Sequence, residues 1–226
     1  VGEYGAGYKI AVLMSLFIQM FRFAAEPFFF ERAKSEGAKA TYAFVMKYFV
    51  IAMLVVYLII NLYISGFQYI IGETFRESVK VVPIVSMGYL FYGIYVNHSI
   101  WYKLNDMTKY GIYITFFGAV ITILINVLFI PVYGYMASAW AHVASYGAMI
   151  GLSFILAEKH YKIRYEMHRL IPYFMIVLGI IIFNSFMNYG NLVTELIIST
   201  LLMILFVLFA QYRDGLVTIL FSKKQV

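Results

Sequence analysis

Long apolar runs alternate with short polar joints along the whole chain. Seven of these runs reach the roughly 20 residues that an α-helix needs to cross the hydrocarbon core of a bilayer. They cover about 10–30, 42–63, 81–101, 111–130, 135–157, 170–187 and 192–212. The runs are continuous and lack the strict alternation of barrel strands, so they predict helices. Punctuation falls at the joints. Pro83, Pro131 and Pro172 stand near run ends, where a missing N–H is tolerated. Pro27 lies inside the first run and predicts a kink there. Residues 188–191, Asn-Tyr-Gly-Asn, read as a tight turn. No long linker or low-complexity segment interrupts the pattern. The predicted fold class is all-α, a polytopic membrane protein of about seven transmembrane helices.

Composition supports lipid as the solvent. Hydrophobic residues make up 63% of the 226 positions and charged residues 12%, against roughly 45–50% and 25% in soluble domains. A compact body of this size keeps too much surface to hide so many apolar side chains from water. A soluble enzyme and a disordered tail are thereby excluded. The absence of cysteine excludes a disulfide-stapled module, a thiolate zinc site and a thiol nucleophile.

Net charge is +6, and its placement matters more than its size. Twelve of the 17 basic residues fall on one side of the predicted crossings. They are Arg32, Lys34 and Lys39, then Lys103 and Lys109, then Lys159, Lys162, Arg164 and Arg169, and finally Arg213, Lys223 and Lys224. The other side holds Arg76 and Lys80, while Lys9, Arg22 and Lys47 fall within or beside crossings. The positive-inside rule then predicts a cytoplasmic C-terminus and an outside N-terminus. This pattern speaks of a membrane and gives no nucleic-acid footprint. The chain starts at Val1 without a signal peptide. An outside start to seven crossings predicts helices upstream of it, so a longer parent protein is expected.

Ionisable residues deep in a crossing are functional candidates by default. Gln19, Arg22 and Glu26 share one helix face at spacings of three and four, which predicts an Arg22–Glu26 pair. Two readings of Arg22 stand side by side. It lines a cavity that holds an anionic group, matched by guanidinium geometry, or it snorkels toward an inner end about 12 Å away at 1.5 Å per residue. Lys47 and Lys9 lie near crossing ends, where snorkelling explains them. Trp101, Tyr102 and Lys103 read as an interfacial belt and anchor. His98, Asn97 and His142 read as hydrogen-bonding glue between helices rather than proton carriers. Ala137, Ala141, Ala144, Ala148 and Gly151 form a small-residue stripe for close packing in the fifth crossing. No nucleophile elbow, Walker loop, carboxylate pair or metal spacing is present, so neither an enzyme nor a cofactor is expected. The outer joint at 64–80 is too small for a catalytic domain.

Three segments carry a family resemblance. Val1-Gly2-Glu3-Tyr4-Gly5-Ala6-Gly7-Tyr8-Lys9-Ile10, followed by Phe21-Arg22-Phe23 and Glu26-Pro27-Phe28, resembles the start of the C-terminal half of bacterial polysaccharide flippases. Asn126, Pro131, Gly134, Ala137 and Ala139 are spaced like that family's turn between two crossings. The run from Ser99 through Trp101, Tyr102 and Lys103 to Lys109 is similar to a cytoplasmic connection of the family. The resemblance, to the multidrug/oligosaccharidyl-lipid/polysaccharide exporter superfamily, covers essentially the whole chain. It implies one bundle of a two-bundle transporter, with residues 1–157 as a five-helix bundle. Residues 158–226 would add two C-terminal helices and a short tail. It implies a polyprenyl-diphosphate-linked oligosaccharide as cargo, moved outward across the bacterial inner membrane for polysaccharide biosynthesis, including lipopolysaccharide. The partners implied are that lipid-linked oligosaccharide, membrane lipid and a missing N-terminal transporter half, with no nucleic acid. Gln19, Arg22 and Glu26 become substrate-cavity candidates, with Lys47 a further one. Two other functions are weighed beside it, a cation-coupled multidrug antiporter and a membrane-embedded polysaccharide polymerase. The first needs acidic cavity residues, of which Glu26 alone is available. The second needs an arginine-bearing outer loop, where Arg76 and Lys80 are all that stand.

Overall fold

The computed structural model of the chain describes residues 2–67, 73–187 and 189–215. All its regular elements are helical, and no strand occurs among the described residues. The order is α1 (Gly2–Ala11), α2 (Leu13–Arg32), α3 (Ala38–Leu62), α4 (Ile64–Phe67), a 3₁₀ segment (Glu73–Val81), α5 (Val82–His98), α6 (Ile100–Lys103), α7 (Lys109–Tyr133), α8 (Tyr135–His160), α9 (Met167–Phe186) and α10 (Leu192–Asp214). Seven helical spans among them are long and apolar enough to cross a bilayer, namely Gly7–Arg32, Ala38–Leu62, Arg76–Lys103, Lys109–Tyr133, Tyr135–His160, Met167–Phe186 and Leu192–Asp214. The chain is a multi-pass membrane protein with an all-α bundle.

Two crossings are built from consecutive helices rather than one. In the first, α2 continues without interruption through Pro27, and the break lies at Val12 instead. The Ser15 hydroxyl donates back to the Val12 carbonyl at 2.7 Å. In the third, Ser99 separates α5 from α6, and its hydroxyl donates to Val96 O at 2.6 Å. At both interruptions a serine hydroxyl shares a carbonyl of the helical ladder.

The centre of the bundle is α3, whose buried side chains include Tyr42, Met46, Val50, Leu54, Tyr57 and Leu58. It packs on α2, α5, α9 and α10. Buried polar bonds key these seams inside the apolar layer, where their donors find no water. Asn61 Nδ2 donates to Tyr57 O at 2.7 Å and to Ser86 Oγ at 3.2 Å, joining α3 to α5. Ser199 Oγ donates to Leu62 O at 3.1 Å, joining α10 to α3. By contrast α7 packs on α8 and turns a long apolar face outward, with Ile112, Phe116, Ile123, Val127 and Val132 exposed. In a bilayer that face meets acyl chains, so its exposure carries no penalty.

The joint between α7 and α8 is the single residue Gly134, with φ 58° and ψ −144°. That region is open essentially to glycine alone, so the helix reversal depends on it. The packing ridge on α8 differs from the expected stripe. Ala137 and Ala141 are buried, but the ridge continues through Ser145, Met149, Ser153 and Ala157, whereas Ala144 and Gly151 are exposed. A strict four-residue step keeps one ridge of side chains in the groove of its neighbour, and the mixed three-and-four stripe drifts off that line. Residue 188 of the expected 188–191 turn lies outside the described residues, as do Lys223 and Lys224. The remainder ends in Asn191, whose Oδ1 accepts from Thr194 N at 2.8 Å and caps α10.

Near the other end of the chain, Gly7 lies against the 3₁₀ segment so closely that a Cβ would overlap the Ser78 carbonyl oxygen and reach Val81 at 2.8 Å. Backbone cannot rotate aside as a side chain can. Gly7→Ala is therefore expected to lower stability by about 1–3 kcal/mol. Denaturation in detergent followed by circular dichroism reads this, and an unchanged transition would mean that α1 shifts without cost.

Candidate functional site

A cavity of about 800 Å³ lies within the bundle, walled by the first crossing, α5–α6, α7 and α8. Its lining is unusually polar for a body of this composition. Arg22 enters from α2 and Lys103 from α6. Six tyrosines join them, Tyr4 and Tyr8 from α1, Tyr92 and Tyr95 from α5, Tyr102 from α6 and Tyr146 from α8. Hydroxyls and one amide complete the wall, with Thr115, Thr122 and Asn126 from α7 and Ser138 and Ser145 from α8.

These groups are tied into short chains. Ser138 Oγ donates to Asn126 Oδ1 at 3.0 Å. Thr122 Oγ1 gives its proton to Gly118 O at 3.0 Å, so at its 2.5 Å contact with Ser145 it accepts. Tyr95 and Tyr102 hydroxyls meet at 3.2 Å. The Tyr89 hydroxyl donates to that of Tyr8. Burial, with the neighbouring Tyr8 adding to it, pushes the Tyr4 phenol up to about 12, so Tyr4 remains a neutral donor at ordinary pH. His142 sits among rings, its centroid 4.9 Å from Tyr89 and 4.8 Å from Tyr146, both near edge-on. Its Nε2 is enclosed with no hydrogen-bond partner among the described residues. That orphan nitrogen, on a residue lining the cavity, is a free polar contact for a guest.

Of the four cavity candidates named from sequence, Arg22 alone lines this cavity. Its guanidinium carbon stands 5.7 Å from the Phe23 ring centroid. The expected Arg22–Glu26 pair does not form. Glu26 instead bonds Lys103 across the α2–α6 seam. Within one helix, a cation four residues before an anion is the weaker orientation, and a lysine from the neighbouring helix outcompetes it. Both Glu26 and Lys103 keep partial exposure, 37% and 29% of their side chains. Gln19 is half-buried on the same helix but is not part of the cavity wall.

Lys47 is neither in the cavity nor snorkelling. Its Nζ binds Asp214 Oδ1 at 2.8 Å, with side chains 13% and 5% exposed. The Tyr173 hydroxyl donates to the second carboxylate oxygen at 2.5 Å, and Tyr48 donates to Asp214 O at 2.8 Å. The pair locks α3 to α10, and Tyr173 adds α9. The Trp101 belt is corrected as well, because Trp101 is fully buried and donates Nε1–H to Ser153 Oγ at 3.1 Å. Ser153 also meets His98 Nδ1 at 2.8 Å, so His98 does bridge α5 and α8.

Sequence pattern gave Tyr102, Lys103 and His142 other roles, an interfacial belt and helix glue, and missed the remaining tyrosines as cavity residues. The tyrosines left a signal as a local excess on α1 and α5, but no periodicity says that those faces turn toward α6 and α8. Among the described residues no three His, Asp or Glu side chains cluster to hold a metal ion. The lining offers groups for binding. Two cations can meet an anionic head, and phenols, hydroxyls and ring faces can meet a polyhydroxylated body. Compared with known families, characterised proteins and solved structures, the chain matches none of them.

Proposed function

We propose that this chain is one bundle of a two-bundle flippase that carries a polyprenyl-diphosphate-linked oligosaccharide across the bacterial inner membrane. The observation that carries this reading is the polar cavity with Arg22 and Lys103 inside an otherwise apolar bundle. A diphosphate needs cations held in a low-dielectric site, where each charge-assisted contact is worth more than in water. Sugars need hydroxyl partners and flat rings, which the six tyrosines supply. The lipid tail stays in the bilayer while the head passes through the cavity.

The two cations lie near the end of the bundle that carries most basic residues. Lys103 meets Glu26 there, and Lys39 stands 4.4 Å from the Tyr161 ring centroid. With that end cytoplasmic, the diphosphate enters at the leaflet where such lipids are built. A drug antiporter finds less support, since no carboxylate side chain stands in the described lining of the cavity.

Transbilayer movement of a fluorescent lipid-linked oligosaccharide, in vesicles made from membranes expressing this bundle joined to its partner bundle, tests this. Arg22→Ala is expected to slow movement by about tenfold or more, the loss of one charged hydrogen-bonding contact. Arg22→Lys should retain part of the rate, as a point charge without the planar fork. Equal rates for wild type and Arg22→Ala would remove Arg22 from the transport path.

A further inference from the structure

Away from that cavity, a second hollow of about 400 Å³ opens where α8 passes into α9. Its rim carries Lys162 and Arg164 from the connecting segment and Glu158 from the last turns of α8. Lys162 is bonded to Glu158 at 2.5 Å, and Arg169 to Glu166 at 3.2 Å. Arg164 is exposed and has no carboxylate partner among the described residues. Lys159 adds another exposed cation, so four basic residues face two carboxylates. The floor holds Tyr165, 5.5 Å from Phe154 and 5.3 Å from His98 between ring centroids. Its hydroxyl is enclosed and without a partner among the described residues. Burial holds the Tyr165 phenol well above its usual range, so it is a neutral donor awaiting an acceptor.

Directly beside this hollow runs an apolar crevice of about 270 Å³, and Phe154 and Met167 wall both. The crevice lies between α8 and α9, with Gly147 and Ile150 on one side and Leu170, Ile171 and Phe174 on the other. It exists because α9 packs on α3 rather than on its sequence neighbour α8. From Met167 to Phe174 it extends about 10 Å into the membrane layer at 1.5 Å per residue.

We infer that this compound pocket holds an anionic phospholipid, with its phosphate against Arg164, Lys162 and the Tyr165 hydroxyl and one acyl chain in the α8–α9 crevice. A cationic head site at the interface, continuous with an apolar slot running inward, has the shape and charge order of one such lipid. A soluble anion would leave the crevice unfilled. A lipid without a phosphate would leave the cations and the buried hydroxyl unmatched, and a zwitterionic one would bring its own cation beside them. The bound lipid wedges α9 against the rest of the bundle, and this role is independent of what the central cavity carries.

The test uses the purified chain, stripped of lipid in detergent and titrated with phosphatidylglycerol or phosphatidylcholine of identical chains. Retained lipid is counted by native mass spectrometry, and thermal unfolding is followed by circular dichroism. Phosphatidylglycerol is expected to bind about tenfold tighter and to raise the unfolding temperature more. Lys162→Gln with Arg164→Gln should abolish the preference while leaving phosphatidylcholine binding as it was. Gly147→Leu, which fills the crevice, should weaken both lipids alike. Inorganic phosphate alone should give no protection. Equal binding of the two lipids by the wild-type chain would overturn the inference. So would protection by inorganic phosphate, or a preference that survives in the double variant. The wild-type comparison decides the matter even where a variant fails to fold.

Discussion

Trp101→Ala should cost about 3–5 kcal/mol of unfolding free energy, the range for removing a fully buried large aromatic. Trp101 is the largest fully buried side chain in the protein. It packs with Tyr95, Tyr102, Ile114, Met149 and Ala157 at the junction of α5–α6, α7 and α8. Its ring centroid is 5.3 Å from Tyr102 and 5.5 Å from Tyr110. Truncation opens a void among helices that cannot all close on it. It also removes the Nε1 donor from Ser153, which is left with His98 alone. Trp101→Phe keeps most of the ring and loses the hydrogen bond, for an expected loss of about 1–2 kcal/mol. Denaturation curves in detergent by circular dichroism separate the two variants. Because Tyr102 and Lys103 both line the central cavity, the alanine variant should disturb the cavity wall as well. Similar, small losses for both substitutions would mean that Trp101 is an interface anchor after all.

Lys47→Met should be nearly as costly, at about 3 kcal/mol or more, because it strands a buried carboxylate. Asp214 retains the Tyr173 hydroxyl but loses its counter-charge. Arg213 replaces it only in part, since its charge favours the carboxylate while its guanidinium lies over Tyr173 and Phe209 at 5.4 and 5.9 Å. Adding Asp214→Asn to Lys47→Met removes the stranded charge and should restore about half of the loss or more, giving a coupling of roughly 2 kcal/mol in a double-mutant cycle. Additive losses would show that the two groups do not stabilise one another. The same cycle reads whether α10 depends on this pair for its position, since Ser199 and Glu195 fasten its other end to Leu62 and Ser65.

How much of this was legible in the chain depended on the range of each interaction. The seven crossings were plain, because a span is set by some twenty consecutive side chains and needs no partner. The tight α7–α8 reversal was readable from Pro131 and Gly134 for the same local reason. The break of the first crossing at Val12 rather than Pro27 was not, since no Gly or Pro marks that position. At the site, Arg22 stood out because a charge in an apolar run is conspicuous whatever surrounds it. Its partner was misjudged, because Glu26 chose between a neighbour on its own helix and Lys103, 77 residues away. Lys47 looked like a snorkelling side chain for want of any sign that Asp214 ends α10 beside it.

By itself the sequence determined the solvent, the number and approximate length of the crossings and the sorting of basic residues to alternate joints. These follow from transfer free energies summed along contiguous residues. Only the tertiary structure decided which faces meet. It brought Tyr4, Tyr95 and Tyr146 to one cavity, buried Trp101 against Ser153, and set α9 on α3 so that a crevice remains beside α8. In lipid every apolar helix face is nearly as content outward as inward, so hydrophobic pattern cannot choose among packings. Hydrogen bonds, ion pairs and shape make that choice, and they join residues that the chain keeps far apart.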